Sequence, residues 1–187
     1  SSTSLDAVAD VLLVTRPALY YYFKSKQELL FTIMSTGMDY LEKEVMVPAS
    51  EIDDPETRLE FVLRNHARLL TGKTSYLAAV TSHDTEDLNS EQRIEINKRY
   101  RAYFDFLRNT LEELLDSGKL QDVNLTGATF TILGMVIWLG KWFRPGGQIS
   151  ATAANDLVCG MAMNSVLLEP SSTRTRKMRI AELGSIR

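Results

Sequence analysis

Three consecutive tyrosines at positions 20–22 constrain the fold of this chain more than any other feature. Thr15 and Pro17 precede them and mark a helix start, because threonine caps a first turn and proline lacks only an N–H that this turn leaves unpaired. Successive helical side chains point about 100° apart, so three adjacent tyrosines cannot share one buried face. The sequence therefore predicts a short helix that presents tyrosine hydroxyls outward.

Basic side chains flank the same short helix. Arg16 precedes the tyrosines, and Lys24 and Lys26 follow them. Phenol, guanidinium and ammonium groups are donors that hold phosphates and contact base edges. The pattern indicates a DNA-recognition helix. The alternative is that the aromatic side chains are core residues of an ordinary helix.

Another short helix is predicted directly upstream. Thr3 and Asp6 occupy the first and last positions of a capping box, and an apolar stripe from Leu5 to Leu12 follows at helical spacing. Two short helices joined by a tight turn form a helix-turn-helix, whose second helix enters the major groove of DNA. We therefore assign residues 1–30 to a DNA-binding domain and residues 31–187 to a ligand-binding and dimerisation domain.

The sequences Thr-Ser-Leu-Asp-Ala-Val-Ala at 3–9 and Val-Thr-Arg-Pro-Ala-Leu-Tyr-Tyr-Tyr-Phe-Lys-Ser-Lys-Gln-Glu-Leu-Leu at 14–30 resemble the signature of the TetR/AcrR family. Its members are dimeric, all-helical, ligand-responsive transcriptional regulators. The resemblance implies that Arg16 contacts bases and that Lys26 binds a phosphate. The residues expected to contact DNA are Thr15, Arg16, Pro17, Tyr20, Tyr21, Tyr22, Lys24 and Lys26.

Two positions depart from the family pattern. The family usually has a further helix before the capping box, and the sequence begins at Ser1, so this first helix is expected to be missing. Leu13 stands where the family commonly has glycine, and leucine makes a positive φ costly in that turn. A second hypothesis therefore stays open: the protein is a small-molecule-binding dimer whose truncated DNA-binding domain, or head, does not bind DNA.

Capping signals and helical periodicity continue through the remaining sequence and predict an all-α fold. Pro48 and Pro170 are expected to stop helices. The predicted helices run from 26 to about 47, 55 to 72, about 74 to 87, 89 to 118, 124 to 143, and 150 to about 169.

The predicted helices near 124–143 and 150–169 are apolar on more than one side, so they need cover from several directions. Gly134 and Gly160 permit close approach of another backbone. In the family that this chain resembles, this helix pair meets its copy in a four-helix bundle. The sequence therefore predicts a homodimer, and the alternative is a helix pair buried within a monomer.

Aromatic and basic residues cluster at the end of the helix predicted for 124–143. Trp138 and Trp142 lie one turn apart, with Lys141 and Arg144 nearby, and together they suit a ligand with an apolar and an anionic part. The segment resembles one in acyl-CoA-responsive family members. Alternatively, both tryptophans are core residues and the cations cap the helix. Further candidates for a ligand pocket are Leu77, Val80, His83, Tyr100, Tyr103, Phe104 and Leu107.

Composition and motif content limit the classes of function that the sequence supports. The net charge of −3 does not itself indicate a nucleic-acid partner, and the single cysteine, Cys159, excludes an internal disulfide and fits the cytoplasm. We predict no signal peptide and no membrane span. The His83–Asp87 segment contains metal-ligand types, but its carboxylates are expected to be solvated. No catalytic constellation is evident, so we predict neither an enzyme nor a bound cofactor.

Overall fold

The computed structural model describes residues 21–72 and 85–168. Residues 1–20 of the predicted helix-turn-helix, residues 74–84 of the helix expected near 74–87, and the segment after position 168 lie outside these ranges. The predicted site residues outside the described ranges are Thr15, Arg16, Pro17, Tyr20, Leu77, Val80 and His83.

The described residues confirm the all-α prediction. Helix α1 spans Lys26–Leu41 and continues through a π-helical turn, Glu42–Met46, into the short helix α2, Val47–Ser50. The longer helices are α3, Pro55–Thr71; α4, Ser90–Asp116; α5, Leu125–Trp142; and α6, Ala151–Val166. A 3₁₀ turn covers Thr85–Asp87, and within the described ranges the β pairing is limited to one isolated bridge between Leu120 and Leu167.

Side-chain caps fix the helix starts where the sequence indicated them. The Asp54 carboxylate accepts the Thr57 N–H at 2.9 Å, and Asn89 forms a reciprocal capping box with Gln92. The starts of α5 and α6 are capped in the same way. Asn124 caps α5 by accepting the Gly127 N–H at 2.9 Å, and Ser150 caps α6 by accepting the Ala153 N–H at 3.2 Å.

Pro48 does not end the first helix, which corrects the expected boundary. The preceding turn widens, so that the Val47 N–H reaches the Glu42 carbonyl five residues back, and the chain stays helical to Ser50. A proline ring clashes with the carbonyl four residues earlier in a regular α-helix, and a local π turn is a common way to accommodate the disruption.

The last helix is shorter than expected and ends at Val166. Leu167 adopts an extended conformation, and the backbone around it pairs with residues 119–121. The Gln121 N–H donates to the Val166 carbonyl at 2.9 Å, and the Leu168 N–H donates to the Lys119 carbonyl at 2.8 Å. These long-range hydrogen bonds replace the next helical turn.

Helix α3 lies at the centre of the bundle and packs against α4, α5 and α6. Its buried side chains recur at three- and four-residue intervals, as in Leu59, Leu63 and Leu70. At the start of α3, the largely buried Arg58 guanidinium donates to Glu113 on α4 at 2.7 Å. A smaller cluster of Met34, Leu88 and Ile96 packs α1 against the start of α4.

Loss of buried volume on α4 should destabilise the fold. We expect Leu111→Ala to lower the free energy of unfolding by about 2–5 kcal/mol, because Leu111 is fully buried in the main core. Ile94→Ala on the same helix removes an exposed side chain and should change it by less than about 0.5 kcal/mol. Urea unfolding measures both, and equal losses would contradict the described packing.

Candidate ligand-binding site

A cavity of about 520 Å³ lies among α1, α3, α4 and α5. Its volume is within the range of small-molecule sites, and most of its wall is apolar. Helix α1 supplies one side of the wall from Gly37 to Leu41, and α5 supplies another. The apolar lining consists of Met38, Leu41, Leu69, Leu70, Phe104, Phe130, Leu133 and Ile137.

Two buried polar side chains, His66 of α3 and Tyr103 of α4, face each other in this wall. His66 Nδ1 and the Tyr103 hydroxyl oxygen lie 2.9 Å apart, within hydrogen-bond distance. Burial lowers the pKa of His66 to about 4 and raises the pKa of Tyr103. Both side chains are therefore uncharged at neutral pH.

More polar residues line the exposed end of the cavity. Tyr40, Asn97 and Arg101 are exposed, and Arg101 places a permanent positive charge there. Tyr100 is half-buried, and burial raises its pKa to about 12. The cavity thus combines a buried, uncharged polar pair with exposed lining residues that include both the basic Arg101 and the apolar Phe130.

The sequence-predicted ligand residues divide into two groups. Tyr103, Tyr100 and Phe104 line the cavity, whereas Leu107 is buried in the core and is not part of the lining. The sequence did not predict three residues that line the cavity, namely His66, Asn97 and Arg101. The apolar spacing of α3 would have placed His66 on the buried face, but its partner stands 37 residues later in the sequence.

The basic and aromatic cluster at the end of α5 is not part of the cavity lining. Trp138 is 63% exposed, and Lys141 is exposed beside it. Trp142 is half-buried and packs against the main core. The Arg144 guanidinium donates to the backbone carbonyl of Lys141 at 2.9 Å, so it caps the helix end. A ligand-binding role for these four residues stays a prediction.

Arg99 on α4 binds the C-terminal half of α1 and the π-helical turn that follows it. Its guanidinium donates to Asp39 at 2.6 Å, to Glu42 at 2.8 Å and to the Ser35 carbonyl at 3.1 Å, and the side chain is only 17% exposed. Burial disfavours the charge, but hydrogen bonds to Glu42 and Asp39 outweigh it, and the pKa of Arg99 is raised. The neighbours Tyr100 and Arg101 line the cavity, so the same stretch of α4 contacts both features.

The start of α1 adjoins the predicted DNA-binding residues. Tyr21 and Tyr22 are 83% and 72% exposed, which excludes a core role for these two tyrosines within the protomer. Lys24 is also exposed. The Lys26 ammonium lies 3.0 Å from the Asp87 carboxylate, so it already has an anionic partner. DNA contacts by these residues stay a prediction.

An apolar surface runs along α5 and α6, and one of its residues, Phe130, also lines the cavity. Phe130, Trp138, Leu157 and Met161 are each more than half exposed on it. A Cβ atom added at Gly134 or at Gly160 would meet nothing within 4 Å, so the protomer itself does not require glycine at either position. This surface has the composition of a protein interface core.

Helix α5 is, within the described ranges, long and apolar enough to cross a membrane by length and composition alone. Buried helices of globular proteins meet the same criteria. Here Thr129, Ile132, Val136 and Leu139 are buried inside the bundle, while the opposite side forms part of the apolar surface. Two buried faces in an assembled protein would also explain the composition.

Protonation of the buried histidine should make stability depend on pH. His66 has a pKa of about 4 when folded and about 6.5 when unfolded, so the unfolded state binds more protons between these values. Stability should therefore fall as the pH drops below 6.5. From pH 7.5 to 5, we expect wild type to lose about 2 kcal/mol more than His66→Gln in urea unfolding. Parallel losses would contradict a buried, neutral His66.

Two regions of this chain match known families of bacterial regulatory proteins. Residues 53–166 match the family described as "Tetracyclin repressor-like, C-terminal domain", and residues 1–33 match "Bacterial regulatory proteins, tetR family". The chain is 33% identical to AibR, whose crystal structure contains isovaleryl coenzyme A and operator DNA. That match covers 85% of this chain and 86% of AibR, with a TM-score of 0.74.

Two further relatives have comparable identity. A TetR/AcrR-family transcriptional regulator from Thermobifida fusca YX-ER1 is 32% identical, with 87% of this chain and 86% of that chain covered and a TM-score of 0.66. The fatty acid metabolism regulator protein of Bacillus subtilis (strain 168) is 28% identical over 104 residues, or 56% of this chain. The alignment spans about half, 53%, of that protein. On these matches, the chain belongs to the TetR family of bacterial transcriptional regulators.

Proposed function

We propose that this regulator is a dimeric repressor that binds a palindromic operator and is released by a small effector, an acyl-CoA. The observation that carries the proposal is that α1 both lines the cavity and begins next to the predicted recognition helix. Gly37, Met38, Tyr40 and Leu41 of this helix line the cavity, and its first residue, Lys26, adjoins the predicted recognition helix. In this proposal the regulator is cytoplasmic, uses no cofactor and performs no catalytic step.

The polarity of the cavity suits an acyl-CoA. An acyl chain would occupy the apolar interior between α3 and α5, while the phosphorylated part of coenzyme A would remain outside, near Arg101. AibR, a relative at 33% identity, was crystallised with isovaleryl coenzyme A, and the Bacillus subtilis relative is named for fatty acid metabolism. Both support an acyl thioester as the effector class.

Coupling between effector and DNA would run through α1. An effector in the cavity contacts Met38 and Leu41 on one side of this helix, and Arg99 holds the same segment of α1 from α4. A small rotation of α1 would move the recognition helix that precedes Lys26. Such coupling requires that the effector bind the two conformations unequally, typically by about 1–3 kcal/mol.

DNA contacts follow from the family resemblance of residues 14–30. Arg16 would contact bases, and the exposed Tyr21 and Tyr22 would contact phosphates or thymine methyl groups. Lys26 would exchange its carboxylate partner, Asp87, for a phosphate. Both side chains are partly exposed, so the ion pair is weak and the exchange costs little.

Dimerisation would occur through the exposed apolar surface of α5 and α6. A second copy related by a two-fold axis would cover Trp138 and Met161 and approach closely at Gly134 and Gly160. It would also provide two recognition helices. Spaced about 34–36 Å apart, these would enter successive major grooves of one palindromic site.

A charge placed on this surface should dissociate the dimer. We expect Trp138→Asp to convert a dimer to a monomer in analytical ultracentrifugation, because an unpaired carboxylate would be buried at the interface. Ile94→Asp is the matched control, since Ile94 is similarly exposed, 69% against 63% for Trp138, but lies on α4. A Trp138→Asp protein that stays dimeric would place the interface elsewhere.

Selection from random duplex DNA tests the regulatory function. We expect enrichment of a palindrome with two half-sites, bound by one dimer and released when isovaleryl-CoA is added. A well-folded dimer that enriches no sequence would instead support the second hypothesis, a small-molecule-binding protein with a non-functional head.

Two substitutions should separate base contacts from phosphate contacts on the selected site. Arg16→Ala should weaken cognate binding by about 1–3 kcal/mol and relax sequence preference. Lys26→Ala should weaken binding to all sequences alike and reduce the salt dependence by about one counterion. Fluorescence anisotropy over a salt series measures both. Equal effects of both substitutions on cognate and random DNA would overturn these assignments.

A further inference from the structure

Part of the cavity wall on α5 belongs to the apolar surface as well. Phe130 lines the cavity, yet it is 64% exposed, and Ile137, which lines the cavity farther along α5, is 38% exposed. The Phe130 ring packs on the ring of Phe104, another lining residue, with the two ring centroids 4.7 Å apart. Most of Phe130 is therefore accessible to solvent, although it forms part of the wall of a ligand cavity.

Other lining residues follow the usual division between buried apolar and exposed polar side chains. Met38 of α1 and Leu70 of α3 line the cavity and are 1% and 6% exposed. Asn97 and Arg101 of α4 are exposed, and their polar groups are suited to water. Phe130 fits neither group, because it is apolar and mostly exposed. The apolar wall is therefore incomplete on α5 in a single protomer.

The charge of the apolar surface suits a copy of itself. Helix α5 contains one charged residue, Lys141, in its last turn, and α6 contains one, Asp156. The Asp156 carboxylate is already paired within the protomer, since it accepts from the Arg64 guanidinium at 2.6 Å. A nearly uncharged surface can pack on its own copy without repulsion between like charges. It offers little to a partner that would bind through opposite charge.

The shape of the surface also suits a copy of itself. Phe130, Gly134 and Trp138 follow one another at four-residue intervals and therefore lie along one side of α5. Phe130 and Trp138 are 64% and 63% exposed, whereas a Cβ atom added at Gly134 would meet nothing within 4 Å. In a two-fold contact, an aromatic ring of each copy can fill the space beside the glycine of the other. These features match a second copy of this chain.

We infer that the second copy completes the effector cavity, because it covers Phe130 and Ile137 and closes the α5 wall against which the effector packs. This inference deepens the proposed function and rests on it. In a monomer, an effector in contact with Phe130 would bury less apolar surface and would meet a ring that the protomer holds on one side only. Effector binding therefore requires the dimer, and the effector stabilises the dimer in return.

Isothermal titration of isovaleryl-CoA into dimeric and monomeric protein tests this inference. Trp138→Asp on α5 and Met161→Asp on α6 each place a charge on the apolar surface, and neither residue lines the cavity. We expect both variants to be folded monomers that bind isovaleryl-CoA at least about tenfold more weakly than wild type. Ile94→Asp is the matched control and should remain a dimer with wild-type affinity. Circular dichroism melting compares the folding of all three variants.

A second measurement does not depend on the identity of the effector. Phe130→Ala should raise the dimer dissociation constant by roughly tenfold or more, because an aromatic side chain buried at an interface contributes strongly to binding. Ile94→Ala should leave this constant unchanged within about twofold. Sedimentation of fluorescently labelled protein over a dilution series measures both dissociation constants.

The contrary outcomes separate this inference from the proposed function. If a monomeric variant binds isovaleryl-CoA within about twofold of wild type, or if Phe130→Ala leaves the dimer unchanged, the second copy does not complete the cavity and the repressor function stands. If Trp138→Asp and Met161→Asp both stay dimeric, the inference and the proposed interface are wrong together. If wild type binds no isovaleryl-CoA, the proposed effector class is wrong, and the dimer dissociation constant of Phe130→Ala decides the inference.

Discussion

The attachment of Arg99 to α1 is the constraint on which a functional account of this fold depends. Its guanidinium reaches two carboxylates and one carbonyl on the outer half of α1 and its π-helical continuation, from a position that is largely buried. Because Tyr100 and Arg101 follow it and line the cavity, a ligand in the cavity would contact the same segment of α4 that holds α1. The geometry therefore joins an internal cavity to the helix that begins at Lys26.

The two sides of helix α5 lie in different environments. Its buried residues, such as Ile132 and Val136, pack in the protomer core. Phe130 and Ile137 both line the cavity and are exposed, and Phe130 also belongs to the apolar surface. If a second copy covers that surface, the same side chains will contact ligand and subunit interface together. Effector binding and dimer stability would then be thermodynamically linked.

Local signals in the sequence predicted the all-α fold and most helix starts, because caps such as Asp54, Asn89 and Ser150 act within one turn. Two backbone features were not predicted. The π turn before Pro48 is a local accommodation of the proline, and the early end of α6 depends on pairing with residues 119–121, which are distant in the sequence. The cavity was only partly anticipated: Tyr103 was expected, but His66 gains its role from a residue on another helix.

The most direct test of the account is the affinity of isovaleryl-CoA for the protein alone and for its complex with the selected operator. Coupling through α1 predicts that DNA-bound protein binds the effector about 5–150-fold more weakly than free protein, with the reciprocal loss of operator affinity when effector is bound. Equal effector affinities with and without operator would show that cavity and DNA head are energetically independent, and would contradict the account.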